Sequence, residues 1–311
     1  MTTTIHDFAA WPRGPLHLAI GVFDGVHVGH QALIASIADR ARADGGTAVA
    51  VTFDPLPIEV LAPGAPPSAL SDIDERCALL AKAGAGAVAV LHFTRELATL
   101  EPDEFVRRLA RAGDVRDVLV GGDFQFGRDR SGDVDALTSL GTVYGFRVDV
   151  APAVTMDGRV VSSTRIRNEL LAGDVSEAAR LLGRPYGVAG VVEHGDKRGR
   201  ALGFPTVNLG VAPNRLLPRD GIYALWATVN GERVAAAASL GVRPTFGGGE
   251  RRLEAYLLDW SGEVYGDRVR AEFVKRLRDE LRFETAKELA EQIAKDVDDT
   301  RAALRADARG V

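Results

Sequence analysis

The segment that decides the fold is Gly21-Val22-Phe23-Asp24-Gly25-Val26-His27-Val28-Gly29-His30. It follows the short apolar run Leu16–Gly21 and precedes a stretch in which apolar residues recur at helical spacing, so it predicts a buried strand that leads directly into a helix. Unpaired backbone N–H groups and the positive end of the helix dipole suit such a helix N-terminus to phosphate. His27 and His30 are three residues apart and are predicted to project from the same side of the first turn. The junction is therefore a candidate phosphate site.

The rest of the first half alternates apolar runs of strand length with helical patterns. The runs lack polar alternation, as strands buried on both faces do; they are Thr47–Phe53, Ala87–Leu91, Asp117–Val120 and Phe146–Val150. Between them, Ser71–Ala83 has apolar residues at helical spacing, and Ser71 with Asp74 forms a capping pattern at its start. Strands alternating with helices predict an α/β fold, a doubly wound parallel sheet of Rossmann-like type that binds ligands at the carboxyl ends of its strands.

The sequence changes character after about Gly183. Strand-length runs follow one another with turns and no helices between them; they are Gly187–Glu193, Gly221–Val229, Arg233–Leu240, Arg252–Asp259 and Val269–Leu277. Asn230-Gly231 is a strong signal for a two-residue hairpin turn. After the last of these runs, apolar residues at helical spacing predict a helix near Thr285–Leu304. This pattern predicts a small antiparallel β-barrel with a C-terminal helix. We therefore expect two domains, residues 1–183 and 184–311.

Composition argues against several classes of partner and location. The 311 residues carry a net charge of −5, so no overall attraction to nucleic acid or to an anionic membrane is expected. The apolar runs are far shorter than a membrane span, and the first residues lack a signal-peptide pattern. Cys77 is the only cysteine and lies on the apolar stripe of a predicted helix, which favours a core residue. A disulfide within the chain is impossible, so a reducing cytoplasm is the expected location.

The motif His-x-Gly-His after a first parallel strand resembles the nucleotidyltransferase superfamily, and its longer form, with Phe23-Asp24-Gly25 before it, is similar to the bacterial bifunctional FAD synthetases. Further segments match that family in the same order; they are Thr52–Pro55, Val120–Gly127, Val161–Arg167 and Leu182–Tyr186. The resemblance implies an enzyme that phosphorylates riboflavin with ATP to give FMN and ADP. It also implies that the same chain transfers AMP from ATP to FMN, giving FAD and pyrophosphate.

The same resemblance assigns roles to residues of the first domain. It implies that His27, His30 and Arg167 are catalytic, the histidines at the α-phosphate and Arg167 at the leaving pyrophosphate. The residues it places around ATP are Gly21, Phe23, Asp24, Gly25, Gly29, Ser163 and Thr164, and those it places around FMN are Asp123, Phe124 and Phe126. Taken alone, Phe124 and Phe126 could equally be core aromatics, and Ser163 with Thr164 could be a plain helix cap near Arg165.

The second domain contains a glycine-rich basic loop that resembles that of riboflavin kinases. In this comparison the residues that would bind ATP are Gly195, Lys197, Gly203, Thr206 and Asn208. Thr206 and Asn208 are two residues apart, so on an extended segment their oxygens face the same way and suit Mg²⁺, with phosphates completing its shell. The resemblance also makes Glu254 the general base that accepts the proton of the ribityl 5′-hydroxyl.

Two other functions compete with this interpretation. One is a different His-x-Gly-His adenylyltransferase, acting on pantetheine phosphate or nicotinamide mononucleotide, although it would have no need of the barrel residues Thr206, Asn208 and Glu254. The other is a flavin-binding regulator built on inactive domains. Such a protein should have lost some of its functional side chains, yet all of them are present: His27, His30, Asn208 and Glu254. The sequence departs from the family at Leu56, where many members have histidine, so Leu56 is not assigned a ligand contact.

Overall fold

The structure is a computed structural model that describes residues 2–6, 8, 11–66, 68–194, 203–242 and 251–307. It divides into two compact units, Met1–Ser163 and Thr164–Val311. The first unit is built on a six-stranded parallel sheet in the order β1-β4-β3-β2-β5-β6. Its strands are β1 Thr3–Ile5, β2 Pro15–Ile20, β3 Thr47–Asp54, β4 Ala87–His92, β5 Asp114–Gly121 and β6 Arg147–Ala151. The predicted parallel sheet is confirmed, with β1 as an additional edge strand.

Helices cover both faces of this sheet, because successive strand residues point to opposite sides. Leu18 belongs to a core with the helix residues Phe105 and Leu137, whereas its neighbour Ala19 belongs to a second core with the helix residues Ile34 and Leu80. The helices are α1 Val28–Asp44, α2 Pro57–Leu61, α3 Ile73–Lys82, α4 Arg95–Ala98, α5 Pro102–Arg111 and α6 Val134–Tyr144. The strand order reverses between β2 and β5, and a sheet of this type binds ligands at such a reversal.

The start of α3 differs from the prediction. The helix begins at Ile73, and Asp72 is its N-cap residue, with a carboxylate that accepts the Glu75 N–H at 2.7 Å. Ser71 lies one residue too early to cap, and its hydroxyl instead accepts the N–H of Gly25 at 2.9 Å. The predicted capping role of Ser71 is therefore wrong, because a tertiary partner takes the hydroxyl.

The second unit is a closed antiparallel barrel in the order β10-β13-β12-β11-β14-β9. Its strands are β9 Tyr186–Glu193, β10 Thr206–Val211, β11 Gly221–Val229, β12 Glu232–Val242, β13 Arg251–Leu257 and β14 Arg268–Arg278. Asn230 and Gly231 both have positive φ, +49° and +83°, as a two-residue hairpin requires. After the barrel, Ala286–Asp307 forms the predicted C-terminal helix, here α9. The short hairpin strands β7 Thr155–Met156 and β8 Arg159–Val160 precede the barrel in the chain.

Two helices connect the sheet to the barrel, α7 Ser163–Ala172 and α8 Val175–Leu182. Gly183 ends α8 in the left-handed region, at φ +69°, as predicted. Helix α8 packs against β9 and β14, which places it in the compact unit of the barrel. The compact units thus divide between Ser163 and Thr164, within the first turn of α7, whereas the domain boundary at 183/184 stays a prediction.

Candidate active sites

Two histidines meet at the junction between β2 and α1. His27 is the N-cap residue of α1, and its Nδ1 accepts the backbone N–H of His30 at 3.3 Å. The two imidazole rings stack with centroids 3.5 Å apart and planes 19° apart, and the ring of Phe23 packs edge-on against His30 at 5.1 Å. The prediction that both histidines project from one side of the first turn is confirmed.

His30 has an unusual electrostatic environment. Burial, and then the electrostatic effects of His27 and of the positively charged Arg76, hold the pKa of His30 well below its ordinary value. Its Nδ1 is buried and has no hydrogen-bond partner among the described residues. The imidazole is therefore neutral at pH 7, and one of its ring nitrogens is available for a ligand rather than for the protein.

The loop before α1 has glycines at positions where a side chain would be crowded or strained, and two of its other residues have a strained backbone. Gly25 has φ +78°, which glycine adopts without cost, and a Cβ at Gly29 would lie only 3.1 Å from the His27 ring. Phe23 and Val26 also lie in the left-handed region, at φ +52° and +41°, and a β-branched residue there is a strained outlier. Gly21 anchors the start of the loop by donating its N–H to Val51 O at 3.1 Å.

The side chain of Asp24 points into the protein interior. Its carboxylate is buried and accepts the backbone N–H groups of Leu70 and Ser71 at 2.9–3.0 Å. Ser163, although distant in sequence, donates its hydroxyl to the carbonyl of Asp24 at 2.9 Å. Asp24 and Ser163 therefore meet, through the backbone of Asp24, at the loop of residues 21–27 before α1, which we call the histidine loop.

Helix α7 begins two residues earlier than the sequence indicates. Ser163 and Thr164 lie in its first turn, and neither precedes the helix as a cap would. Thr164 and Arg167 lie on the part of α7 that belongs to the second compact unit, so their roles at the nucleotide stay predictions.

The predicted acceptor residues follow the end of β5. Asp123 is exposed two residues beyond the strand. Phe124 and Phe126 share a face, with rings stacked at 5.4 Å, and Phe126 also packs on Phe105 at 5.7 Å within the core of the sheet. Phe126 is therefore a core residue whatever else it does, whereas Phe124 is only partly buried.

At the carboxyl end of β4 lies an open cavity of about 230 Å³ that no sequence motif indicated. Its lining combines apolar residues such as Leu91 and Leu97 with polar ones, which are His6, His92, Thr94, Glu96 and Arg108. These residues come from separate segments, so no local pattern could have brought them together.

In the barrel, three polar side chains form a row across neighbouring strands. Asn208 of β10 lies opposite Glu254 of β13, and Glu254 lies opposite Ser239 of β12. Residues that face each other in antiparallel strands point to the same side of the sheet. Their sequence neighbours Leu209, Leu253 and Leu240 are buried on the other side. Glu254 thus stands apart from the core, as its alternation with Leu253 predicted.

Within this row, the side chain of Asn208 is buried and has an oxygen atom left unsatisfied by the described residues. Its side chain is only 7% exposed, yet its Oδ1 has no hydrogen-bond partner among the described residues. Thr206, two residues earlier, points to the same side. A buried amide oxygen without a donor is costly, and a hard oxygen of this kind is a ligand that Mg²⁺ accepts. The arrangement therefore fits the predicted divalent-cation site.

Glu254 lines a cavity of about 190 Å³ with Ser239, Gly241, Val242, Arg252 and Glu280. The Ser239 hydroxyl donates to Glu280 at 3.3 Å. No motif had singled out Glu280, which the tertiary structure brings to this cavity, whereas Arg252 lies two residues before Glu254 on β13 and so on the same face of the strand. Of the predicted ATP-binding loop, Gly203 is exposed with φ +85°, whereas Gly195 and Lys197 lie outside the described residues.

Comparison with known proteins matches both halves of the chain. The FAD synthetase family matches residues 12–165, and the riboflavin kinase family matches residues 182–304. A bifunctional riboflavin kinase/FMN adenylyltransferase of Pseudomonas fluorescens is 41% identical over 300 residues, 96% of each chain. The Bacillus subtilis protein of the same description is 36% identical over 286 residues, covering 90% of this chain and 89% of its own.

A solved structure has the same fold over nearly the whole length. It is described as a macrolide-efflux protein from Streptococcus pneumoniae, and it matches with a TM-score of 0.87 and 32% identity over 96% of this chain and 98% of its own. In the part of this chain that the structure describes, none of the helices combines the length and apolarity needed to cross a membrane.

These matches favour neither a flavin-binding regulator nor another His-x-Gly-His adenylyltransferase. Both family matches coincide with the two constellations described above, one in each half of the chain. Enzymes of the two families use ATP with a divalent metal, and riboflavin, FMN and FAD are their substrates or products. The chain belongs to the family of bifunctional riboflavin kinase/FMN adenylyltransferases, transferases that produce FMN and FAD.

Proposed function

We propose that the two reactions take place at two separate sites built from the residues above. The barrel phosphorylates riboflavin to FMN, and the sheet transfers AMP from a second ATP to FMN. The observation that supports this division is that each unit has its own polar constellation: the stacked pair His27–His30, and Asn208 beside Glu254.

In the kinase step, Glu254 accepts the proton of the ribityl 5′-hydroxyl while that oxygen forms a bond to the γ-phosphorus. The bond from the γ-phosphorus to the oxygen of the ADP leaving group breaks. Thr206 and the unpartnered Asn208 Oδ1 would hold Mg²⁺, which when bound neutralises charge on the phosphates. Gly195, Lys197 and Gly203 would enclose the nucleotide.

In the adenylyl transfer, an anionic oxygen of the FMN phosphate attacks the α-phosphorus of ATP and the bond to pyrophosphate breaks. The attacking oxygen carries no proton at neutral pH, so the site has to position and stabilise charge rather than act as a base. His27 and His30 would hydrogen-bond the α-phosphate, and Arg167 the pyrophosphate. Asp123, Phe124 and Phe126 would hold FMN.

The remaining ATP-binding residues act mainly by shaping the loop. Asp24 is engaged by backbone N–H groups, so we assign it the support of the loop rather than a direct contact with ATP. Gly21, Gly25 and Gly29 let the backbone approach phosphate, and Phe23 packs edge-on against His30. The Ser163 hydroxyl donates to the Asp24 carbonyl and so supports the same loop, whereas Thr164 lies in the first turn of α7 as a further hydroxyl donor. We also place both reactions in the cytoplasm, because Cys77 is the only cysteine and ATP is required.

The test is a chromatographic assay of the purified chain with riboflavin, ATP and Mg²⁺. We expect FMN and FAD as products. His30→Ala should lose one donor to the transition state and slow FAD formation by about 10²–10³-fold, while FMN still accumulates. Glu254→Ala should slow riboflavin phosphorylation by about 10²–10⁴-fold, while added FMN is still converted to FAD. If folded His30→Ala protein lost both activities alike, the two-site assignment would be wrong.

A further inference from the structure

A buried arginine lies behind the histidine loop. Arg76, on α3, is 1% exposed and is among the largest fully buried side chains in the described part of the chain. Its Nη1 donates to the carbonyl of Phe53 at 2.7 Å and to Thr52 Oγ1 at 3.4 Å. Its Nε donates to Ser71 Oγ at 3.5 Å. The guanidinium thus joins α3 to the carboxyl end of β3.

Both hydroxyl groups that Arg76 contacts also bond to the histidine loop. Thr52 Oγ1 donates to the carbonyl of Val22 at 2.8 Å. Ser71 Oγ accepts the N–H of Gly25 at 2.9 Å and donates to Asp24 Oδ1 at 3.2 Å. Each hydroxyl uses its single proton toward the loop and a lone pair toward the arginine. We call Asp24, Thr52, Ser71 and Arg76 the buried network.

The loop needs such support because it is strained. Phe23 and Val26 have positive φ, and a backbone of this kind persists only where the surroundings fix it. The two bonds from the buried network hold Val22 and Gly25, which lie on either side of Phe23. His27 follows immediately, so a shift of this backbone would move both imidazoles.

We propose that Arg76 is a positioning residue for adenylyl transfer: it fixes the loop of His27 and His30 through Thr52 and Ser71. This inference rests on the proposed adenylyl transfer at that loop. Arginine suits the role because its planar fork reaches Phe53 O, Thr52 and Ser71 from one side chain, which the single ammonium of lysine cannot do.

The charge of Arg76 adds a second effect. Burial lowers the pKa of Arg76, and the carboxylates of Asp24, Asp54 and Glu59, together with Cys77, oppose that shift. An arginine remains charged even so. After burial and His27, this charge is the third cause that lowers the pKa of His30. Arg76 therefore fixes the position of His30 and also favours its neutral form.

The test compares Arg76→Gln, Arg76→Lys and the control Arg111→Gln, an exposed arginine on α5. FAD formation from FMN and ATP is measured from pH 5 to 8, and the His30 imidazole is titrated by NMR with His30→Gln as the assignment reference. Arg76→Gln should lower kcat by about 10²-fold, as a displaced catalytic group does, with less effect on KM. It should also move the His30 titration to higher pH, because a positive charge is lost.

Arg76→Lys keeps the positive charge and loses the planar guanidinium fork. Its kcat should therefore lie between those of the parent chain and Arg76→Gln, while the His30 titration stays at the pH of the parent chain. Arg111→Gln should change neither. Riboflavin phosphorylation by each variant reports the barrel, and circular dichroism checks folding. If Arg76→Gln does not fold, Arg76→Lys decides: a reduced kcat at an unmoved titration supports the proposal, and an unchanged kcat refutes it.

Two results with folded Arg76→Gln would overturn the proposal. One is FAD formation within twofold of the parent chain. The other is a lower rate without any movement of the His30 titration, which would mark Arg76 as core packing alone. Failure of the parent chain to make FAD from FMN would instead refute the proposed function.

Discussion

Replacement of Asn208 by leucine should stabilise the barrel while it abolishes the kinase reaction. Asn208 is 7% exposed and its Oδ1 has no donor among the described residues. A buried acceptor in that state costs about 1–3 kcal/mol. Leucine has a similar size and no such group, so we expect Asn208→Leu to raise the free energy of unfolding by about 1 kcal/mol. For a unit of this size that corresponds to about 2–4 °C in Tm.

The same change should remove a ligand of the metal–nucleotide complex. Loss of several kcal/mol of charge stabilisation corresponds to a fall of at least about 10²-fold in the rate of FMN formation. In the parent chain, Mg²⁺–ADP at 100 times its Kd should stabilise the barrel by about 2.7 kcal/mol. Asn208→Leu should lose most of this ligand-dependent stabilisation.

The assay is urea unfolding followed by tryptophan fluorescence, with and without Mg²⁺–ADP, beside chromatography of FMN. Trp226 and Trp260, two of the three tryptophans, belong to the barrel unit. Asn168→Leu is the matched control, because Asn168 is exposed on α7; it should leave FMN formation and the effect of Mg²⁺–ADP unchanged. An Asn208→Leu protein that is less stable, yet phosphorylates riboflavin normally, would show that Asn208 is structural.

Three further predictions concern pH, the last helix and the metal. The pKa of His30 is lowered in the folded chain, so the unfolded chain binds the extra proton first as pH falls below about 6.5. The free energy of unfolding should therefore fall with decreasing pH, by at most about 1.4 kcal/mol per pH unit from this group. Urea unfolding of His30→Gln at the same pH values should lack this component. Asp296 on α9 is 4% exposed and accepts hydrogen bonds from Nε and Nη2 of Arg278 on β14, at 2.8 and 2.5 Å, so this ion pair should hold α9 to the barrel. Asp296→Ala should therefore destabilise the barrel by about 3–5 kcal/mol in thermal unfolding, and a loss below about 1 kcal/mol would refute that role. EDTA should stop both reactions, and Mg²⁺ should restore them; unaltered turnover in EDTA would contradict the metal role.

The sequence predicted much of the fold because its signals are local. Buried parallel strands show as unbroken apolar runs, and all five predicted runs of the first half overlap strands of the sheet. The Asn230-Gly231 turn needs only two residues, and it forms where predicted. The β1 strand, by contrast, is three residues long and has too little pattern to recognise.

The same distinction between local and long-range signals applies to the residues of the candidate sites. His27 and His30 could be paired from the sequence because three residues on one helical turn fix their separation. Arg76 could have been noticed as a charged residue on the apolar stripe of Ile73, Cys77 and Leu80, yet nothing local shows what it binds.

The sequence by itself determined the order of the elements, the histidine pair and the alternation that turns Glu254 away from the core. Only the tertiary structure decided that Ser71 binds Gly25, 46 residues away, instead of capping its own helix. It also decided that Glu254 lies between Asn208 and Ser239, because barrel register and not sequence spacing sets those neighbours. The physical reason is that dihedral preferences and periodicity act over a few residues, whereas buried polar groups must find partners wherever packing brings them.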